Sequence, residues 1–184
     1  PVDVDVADPS LESFWATAAK LGVPVLLHGA NHSKWEDFGP SYLAYSMGRT
    51  LDTTILAAKL ILGGVMDRNP NLKLALCHGG GALPYLIGRV EDGYKRGIER
   101  RDGHELELGG PTEYLPKMYY DTVTLNERSL MAAFHHPFVC RLIGGYQAVD
   151  NSHTVDPREP VVMQVAIAVA PTGDDSCFGI EKFL

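Results

Sequence analysis

Two stretches of this chain read as strands that end in histidine, Val23-Pro-Val-Leu-Leu-His28 and Leu72-Lys-Leu-Ala-Leu-Cys-His78. Each is a short, nearly continuous apolar run, the pattern of a strand covered on both faces. Each is flanked by segments with helical spacing of apolar residues. Strands that alternate with amphipathic helices build βα units, because parallel neighbours need a crossover connection. The pattern predicts an α/β fold with a parallel sheet. It is not the pattern of a helical bundle or a β-sandwich.

The remaining elements follow the same rhythm. Asp8-Pro9 opens a helix, with Asp8 as cap, Pro9 at the first helical position and Glu12 in the first turn. Leu11, Phe14, Trp15, Ala18 and Leu21 form its apolar stripe, and Gly22 stops it. Residues 29–47 read as a loop. A helix is expected from Thr50 to Gly63, with Leu51, Ile55, Ala58 and Leu62 on its buried face, and another from Leu83 to about Arg100. A polar loop (102–110) leads to a third strand, Lys117-Met-Tyr-Tyr-Asp121. A helix starting at Asn126 or Glu127 and ending at Pro137, then a fourth strand from Phe138 to Ile143, complete the pattern. Beyond Asp150 the texture changes, which divides the chain into an α/β segment, 1–149, and a divergent tail, 150–184; the resemblance given below implies that the first is a barrel segment.

Composition excludes several classes of function. With 184 residues the chain is long enough for one domain with a real core. Its net charge of −7 leaves no basic footprint for nucleic acid or an anionic membrane. The longest strongly apolar run, Val161 to Ala170, is about half of what a membrane span needs. No secretory leader is visible at the N-terminus, and Cys77, Cys140 and Cys177 are odd in number and widely spaced. Together these point to reduced thiols in a cytoplasmic protein.

Polar residues at the carboxyl ends of parallel strands mark the active face of a barrel. His28, His78 and Asp121 occupy that position, and histidine with carboxylate is a ligand set for zinc or a similar divalent ion. For His28 taken alone, a buried histidine bonded to the backbone is the plainer alternative, and two strands that both end in histidine bring the two readings level. Gly79-Gly80-Gly81 lacks the lysine and hydroxyl of a phosphate-binding loop, and its other use is close backbone approach beside His78. Cys77 and His78 are neighbours on a strand, so they are expected on opposite faces, with Cys77 beneath the helices. His135-His136 reads as a helix C-terminal cap, and His104 and His153 as solvent-exposed loop residues. Arg89 is either a surface ion-pair partner of Glu91 or Asp92 or an anchor for a substrate carboxylate.

The stretches DPSLESFWATAAKLGVPVLLH, GRTLDTTILAAKLILGGVMDRNPNLKLALCHGGGALPYLIGRVEDGY and EYLPKMYYDTV resemble the amidohydrolase-related family, over roughly residues 8–135. That family includes the aminocarboxymuconate-semialdehyde and γ-resorcylate decarboxylases. HGGGALPYLIGR is the most specific part. The resemblance implies a metal-dependent (β/α)8 barrel, here a partial one. His28 would be a metal ligand and His78 the general acid/base. Arg89 would reach a substrate carboxylate in the neighbouring subunit of a homodimer, and Tyr42 would lie over the pocket. The implied reaction removes carbon dioxide from a small unsaturated or aromatic carboxylic acid with zinc, or alternatively manganese. A related hydrolase of a lactone, amide or ester would use the same groups.

Two departures from the family pattern shape the expectations. The chain starts near the end of the fourth barrel strand, so the first-strand pair of metal ligands is missing, and 184 residues fall short of the roughly 250 of a full barrel. The aspartate expected after the last strand is replaced within Arg141-Leu-Ile-Gly-Gly-Tyr146, and Asp150 is a poor substitute. A catalytically silent chain that only self-associates through its open sheet edge is therefore the alternative expectation.

Overall fold

The computed structural model describes residues 4–29, 43–99, 103–125 and 128–129. Asp8 opens the first helical segment as its side chain predicts, its carboxylate accepting from Ser10 N at 2.8 Å. The chain passes through a single 3-10 turn, Pro9–Leu11, into α1, Glu12–Leu21, which Gly22 ends in the left-handed region. Only Trp15 and Ala18 of the apolar stripe are buried, whereas Phe14 and Leu21 remain exposed. Strand β1 is Pro24–Leu27.

A π-helical turn, Ala44–Gly48, runs directly into α2, Arg49–Leu62. Helical structure thus begins within the stretch expected to be loop. The short α3, Val65–Arg68, follows a left-handed Gly64 and is too brief for any periodicity to reveal. β2 is Lys73–Leu76, α4 is Leu83–Lys95 and β3 is Tyr119–Tyr120. α4 is shorter than expected, and a 3-10 segment, Pro111–Lys117, precedes β3. The expected helix near 126–137, the fourth strand and the tail lie outside the described residues apart from Arg128 and Ser129.

The three strands are parallel in the order β1-β2-β3, with Leu27 opposite Leu76 and Leu76 opposite Tyr120. Leu27, Leu74, Leu76 and Tyr120 join Ala57, Leu60 and Ile61 of α2 and Leu83 and Ile87 of α4 in one core. By the period of two, Leu26, Ala75 and Tyr119 belong to the opposite face. The result is an arc of barrel wall, with helices outside and strand ends carrying polar residues along one rim.

Two expectations fail here for physical reasons. β1 is not a buried strand, since Pro24 and Leu26 are exposed, Leu26 by 41%, as is Val23 just before it. Among the described residues no strand pairs with its outer side. The buried face of α2 is also turned by one residue from the expected Leu51 stripe. Asp52, Thr53, Thr54, Ala57, Leu60 and Ile61 are inside, and their polar N-terminal half faces the strand ends.

Nor is His104 a solvated loop residue. It is half-buried, with Nε2 3.0 Å from Asp67 Oδ2. Asp67 also accepts from Glu107 N and from the Tyr114 hydroxyl, so one buried carboxylate ties the segment before β3 onto α3. A cavity of about 660 Å³ beside it is lined by Ala7, Glu12, Arg68 and His104 among others.

Candidate active site

Each strand ends at the same level, and the ladder continues one residue further. Cys77 N donates to Leu27 O at 3.1 Å and Asp121 N to Leu76 O at 3.0 Å. His28, Cys77 and Asp121 are therefore in register. Alternation places Cys77 on the face away from the helices, because Leu74 and Leu76 occupy the helix-facing core. This corrects the expectation of a cysteine beneath the helices. Burial, and then the Asp121 charge, push its thiol up to about 12, so it is neither nucleophile nor thiolate at neutral pH.

His78 departs from the strand. It takes φ 58°, one of two non-glycine residues described with positive φ, and the next three glycines share that sign. The left-handed region costs a non-glycine residue of order 1–3 kcal/mol and is retained where the surroundings over-determine it. Here the constraints are visible. Asp121 Oδ1 accepts from Gly79 N at 2.7 Å and from Val123 N at 3.0 Å, fixing the turn to the end of β3. Gly81 lies so close to α2 that a Cβ would strike Thr50 O and approach Thr54 Oγ1 to 2.6 Å. Thr54 Oγ1 in turn accepts from Ala82 N at 2.8 Å. The glycine run thus seats the turn against α2 and β3, not around a phosphate.

Because the strand ends at Leu76, strand alternation does not govern His78. Its ring centroid lies 5.0 Å from that of His28, tilted by 54°. Its Nδ1 is 3.2 Å from Thr53 Oγ1 on α2. Burial lowers the His78 pKa below the ordinary histidine value. His28 lowers it further, Asp121 opposes, and Arg49 adds a lesser lowering. His28 is exposed, and Gly29 after it has no room for a side chain, since a Cβ there would come within 2.6 Å of Arg49 O and Asp52 Cβ.

The other expected site residues are not gathered here. Arg89 is exposed on α4. The ion pairs expected of it belong to its neighbours, Glu91 with Lys95 at 3.1 Å and Asp92 with Arg96 at 2.8 Å. Tyr42 lies outside the described residues, as do His32, His135, His136 and His153. Thr53, which sequence reading did not single out, is the residue that touches His78. Its only sequence signal is a polar Asp52-Thr53-Thr54 run opening an otherwise apolar helix.

Parallel strands, outer helices and strand-end histidines define the class, an α/β barrel wall with an imidazole site on its carboxyl rim. A profile of the amidohydrolase family matches residues 1–170, and the chain belongs to that family. It is 35% identical over 129 residues to the 2-amino-3-carboxymuconate-6-semialdehyde decarboxylase of Dictyostelium discoideum, covering 67% of this chain and 34% of that protein. It is 32% identical over 87 residues to the γ-resorcylate decarboxylase of a Rhizobium strain, covering 45% and 27%. The IDCase of Metarhizium anisopliae superposes with a TM-score of 0.66 at 25% identity, over 81% of this chain and 43% of that one. A dihydroxybenzoic acid decarboxylase from Polaromonas, solved with manganese and 2-nitroresorcinol, gives 0.63 at 22%, over 77% and 44%. The chain spans about a third of the length of these curated relatives and under half of the solved chains. Its fold is a partial (β/α)8 barrel.

Family members depend on a divalent metal, and manganese is the ion held in the Polaromonas structure. The imidazole of His28 has the right donor chemistry for such an ion. Among the described residues, however, no group of three or more His, Cys, Asp or Glu side chains is arranged to hold one. Asp121 Oδ1 is committed to backbone amides and Cys77 is a neutral thiol. No helix among the described residues is long and apolar enough to cross a membrane.

Proposed function

We propose that the chain supplies the proton-transfer side of a carboxy-lyase site acting on a small unsaturated or aromatic carboxylic acid. The observation that carries this reading is the convergence of His28 and His78 on one rim, 5.0 Å apart, in a chain whose curated relatives are decarboxylases. In this reading His28 is one ligand of a divalent ion, zinc by preference of the imidazole donor and manganese by analogy with the Polaromonas neighbour. Such an ion supplies Lewis-acid polarisation. His78, neutral near pH 7, takes a proton from solvent or from a substrate hydroxyl and delivers it to the carbon that bears the carboxylate. The carbon–carbon bond then breaks, its electron pair restores the conjugated system, and carbon dioxide leaves.

Arg89 and Tyr42 complete the proposal. Arg89 projects from the outer surface of α4, where a guanidinium can be offered across a homodimer to a substrate carboxylate. Tyr42 is assigned to the cover of the pocket by resemblance alone. The test is carbon dioxide release from 2,6-dihydroxybenzoate and from 2-amino-3-carboxymuconate semialdehyde, with zinc or manganese supplied. Release that falls at least ~100-fold in His78→Gln, with unchanged circular dichroism, is the expected result. Absence of release with either substrate and either metal would defeat the reading.

A second reading has its own observation. The exposed outer edge of β1, with Val23 and Leu26, favours a catalytically silent chain that self-associates through that edge. Sedimentation velocity separates the two. Inactive wild-type oligomers that Leu26→Lys converts to monomers support the silent chain, whereas monomers or dimers with activity that Leu26→Lys leaves in place support the lyase.

A further inference from the structure

Thr53 is wholly buried, and its Oγ1 makes two close polar contacts, 3.0 Å to Arg49 O and 3.2 Å to His78 Nδ1. A hydroxyl carries one proton. The carbonyl oxygen of Arg49 has none to offer, so two oxygens at 3.0 Å are attractive only with the threonine proton between them. Back-bonding of this kind to the residue four positions earlier is what Thr17 and Thr54 do in the same protein, both at 2.7 Å. With its proton committed to Arg49 O, Thr53 Oγ1 presents only lone pairs to the imidazole. The 3.2 Å contact then requires that Nδ1 bring its own proton.

We infer that Thr53 is a positioning residue that holds neutral His78 as the Nδ1–H tautomer and so leaves Nε2 as its basic nitrogen. Which nitrogen of a histidine is basic is set by the hydrogen bond made by the other, and the wrong tautomer removes the base from the reaction even when the ring stays in place. Two further constraints keep the ring where Thr53 can reach it. The left-handed turn at His78 is held by Asp121 through Gly79 N, and Ala82 N is held by Thr54 Oγ1, one residue along the same helix. Adjacent threonines of α2 thus fix the two ends of the His78–Ala82 turn, one through a side chain and one through the backbone. The consequence for catalysis rests on the acid/base role proposed for His78; the tautomer itself does not.

The deciding experiment is therefore spectroscopic. Long-range nitrogen–proton correlation of the histidine-labelled chain at about pH 8, where histidine is neutral, reports which ring nitrogen carries the proton. A His78→Gln sample identifies the resonances. The wild type is expected to show protonated Nδ1 and bare Nε2 at His78. Thr53→Val, which removes the acceptor, is expected to make the Nε2–H form the major one, and Thr53→Ser to restore the wild-type pattern. Where the chain is active, Thr53→Val is expected to lower kcat roughly 10- to 100-fold with KM little changed, the size typical of an orienting partner. A wild-type His78 protonated on Nε2 overturns the inference, and so does a Thr53→Val protein that keeps Nδ1–H. Should Thr53→Val fail to fold, the wild-type and Thr53→Ser spectra still decide it. A chain that shows the expected tautomers but releases no carbon dioxide defeats the proposed reaction and leaves this assignment standing.

Discussion

His78 concentrates the residue-scale physics. A β-carbon in the left-handed region is disfavoured by about 1–2 kcal/mol, and here the side chain sits in that region between Thr53 and His28. The strain is held in place by the contacts of Asp121 with Gly79 N and of Thr53 with the ring. It follows that His78→Gly should be more stable than His78→Ala by about 1 kcal/mol in urea denaturation, since glycine takes positive φ freely. Equal stability of the two variants would mean that the turn relaxes once the imidazole is gone. Much of this residue's importance was legible, because a strand ending in histidine followed by three glycines already stands out. Its direction was not. Alternation along a strand holds only while the strand lasts, and β2 ends two residues before His78, so the left-handed turn and not the strand sets the direction of its ring.

Among the elements, α2 and the segment before β3 decide how the rim is held. The apolar stripe of α2 that sequence reading puts inside, Leu51, Ile55, Ala58 and Leu62, is only half-buried, and the helix turns its Asp52-Thr53-Thr54 edge inward. Hydrophobic periodicity misses such a face because polar residues that bond to a neighbouring turn cost little when buried and look solvated in a one-letter sequence. Glu91 plays a comparable part on α4. Its carboxylate accepts from Thr112 N at 3.1 Å and from the Thr112 hydroxyl at 2.9 Å, and it pairs with Lys95. Burial alone would raise its pKa. The Thr112 donors and the lysine outweigh that and hold the carboxyl below its usual range. A carboxylate depressed by folding stabilises above the unfolded value of about 4.3 and loses that contribution as pH falls through the folded value. Glu91→Gln is accordingly expected to cost about 1–2 kcal/mol near pH 7, with the difference from wild type vanishing in acid. A gap that persists unchanged in acid would point to lost packing instead.

At the scale of the molecule, the parallel sheet was legible from the alternation of strand and helix, and the barrel from the resemblance carried by the histidine and glycine motifs. The exposure of β1 was not, because a continuous apolar run such as Val23 to Leu27 predicts burial on both sides and says nothing of whether a neighbour is present. The same incompleteness shapes the site. His28 stands at the rim, and among the described residues no group of three or more His, Cys, Asp or Glu side chains is arranged to hold a divalent ion with it. In the proposed function His28 and His78 form one metal-facing, proton-transferring rim. The most direct test of this is to titrate substoichiometric manganese into the labelled chain and follow paramagnetic broadening of the histidine ring signals. Selective broadening of His28 and His78 ahead of His104, abolished by His28→Ala, is the expected result. Uniform broadening of all histidines, or broadening unchanged in His28→Ala, would contradict it.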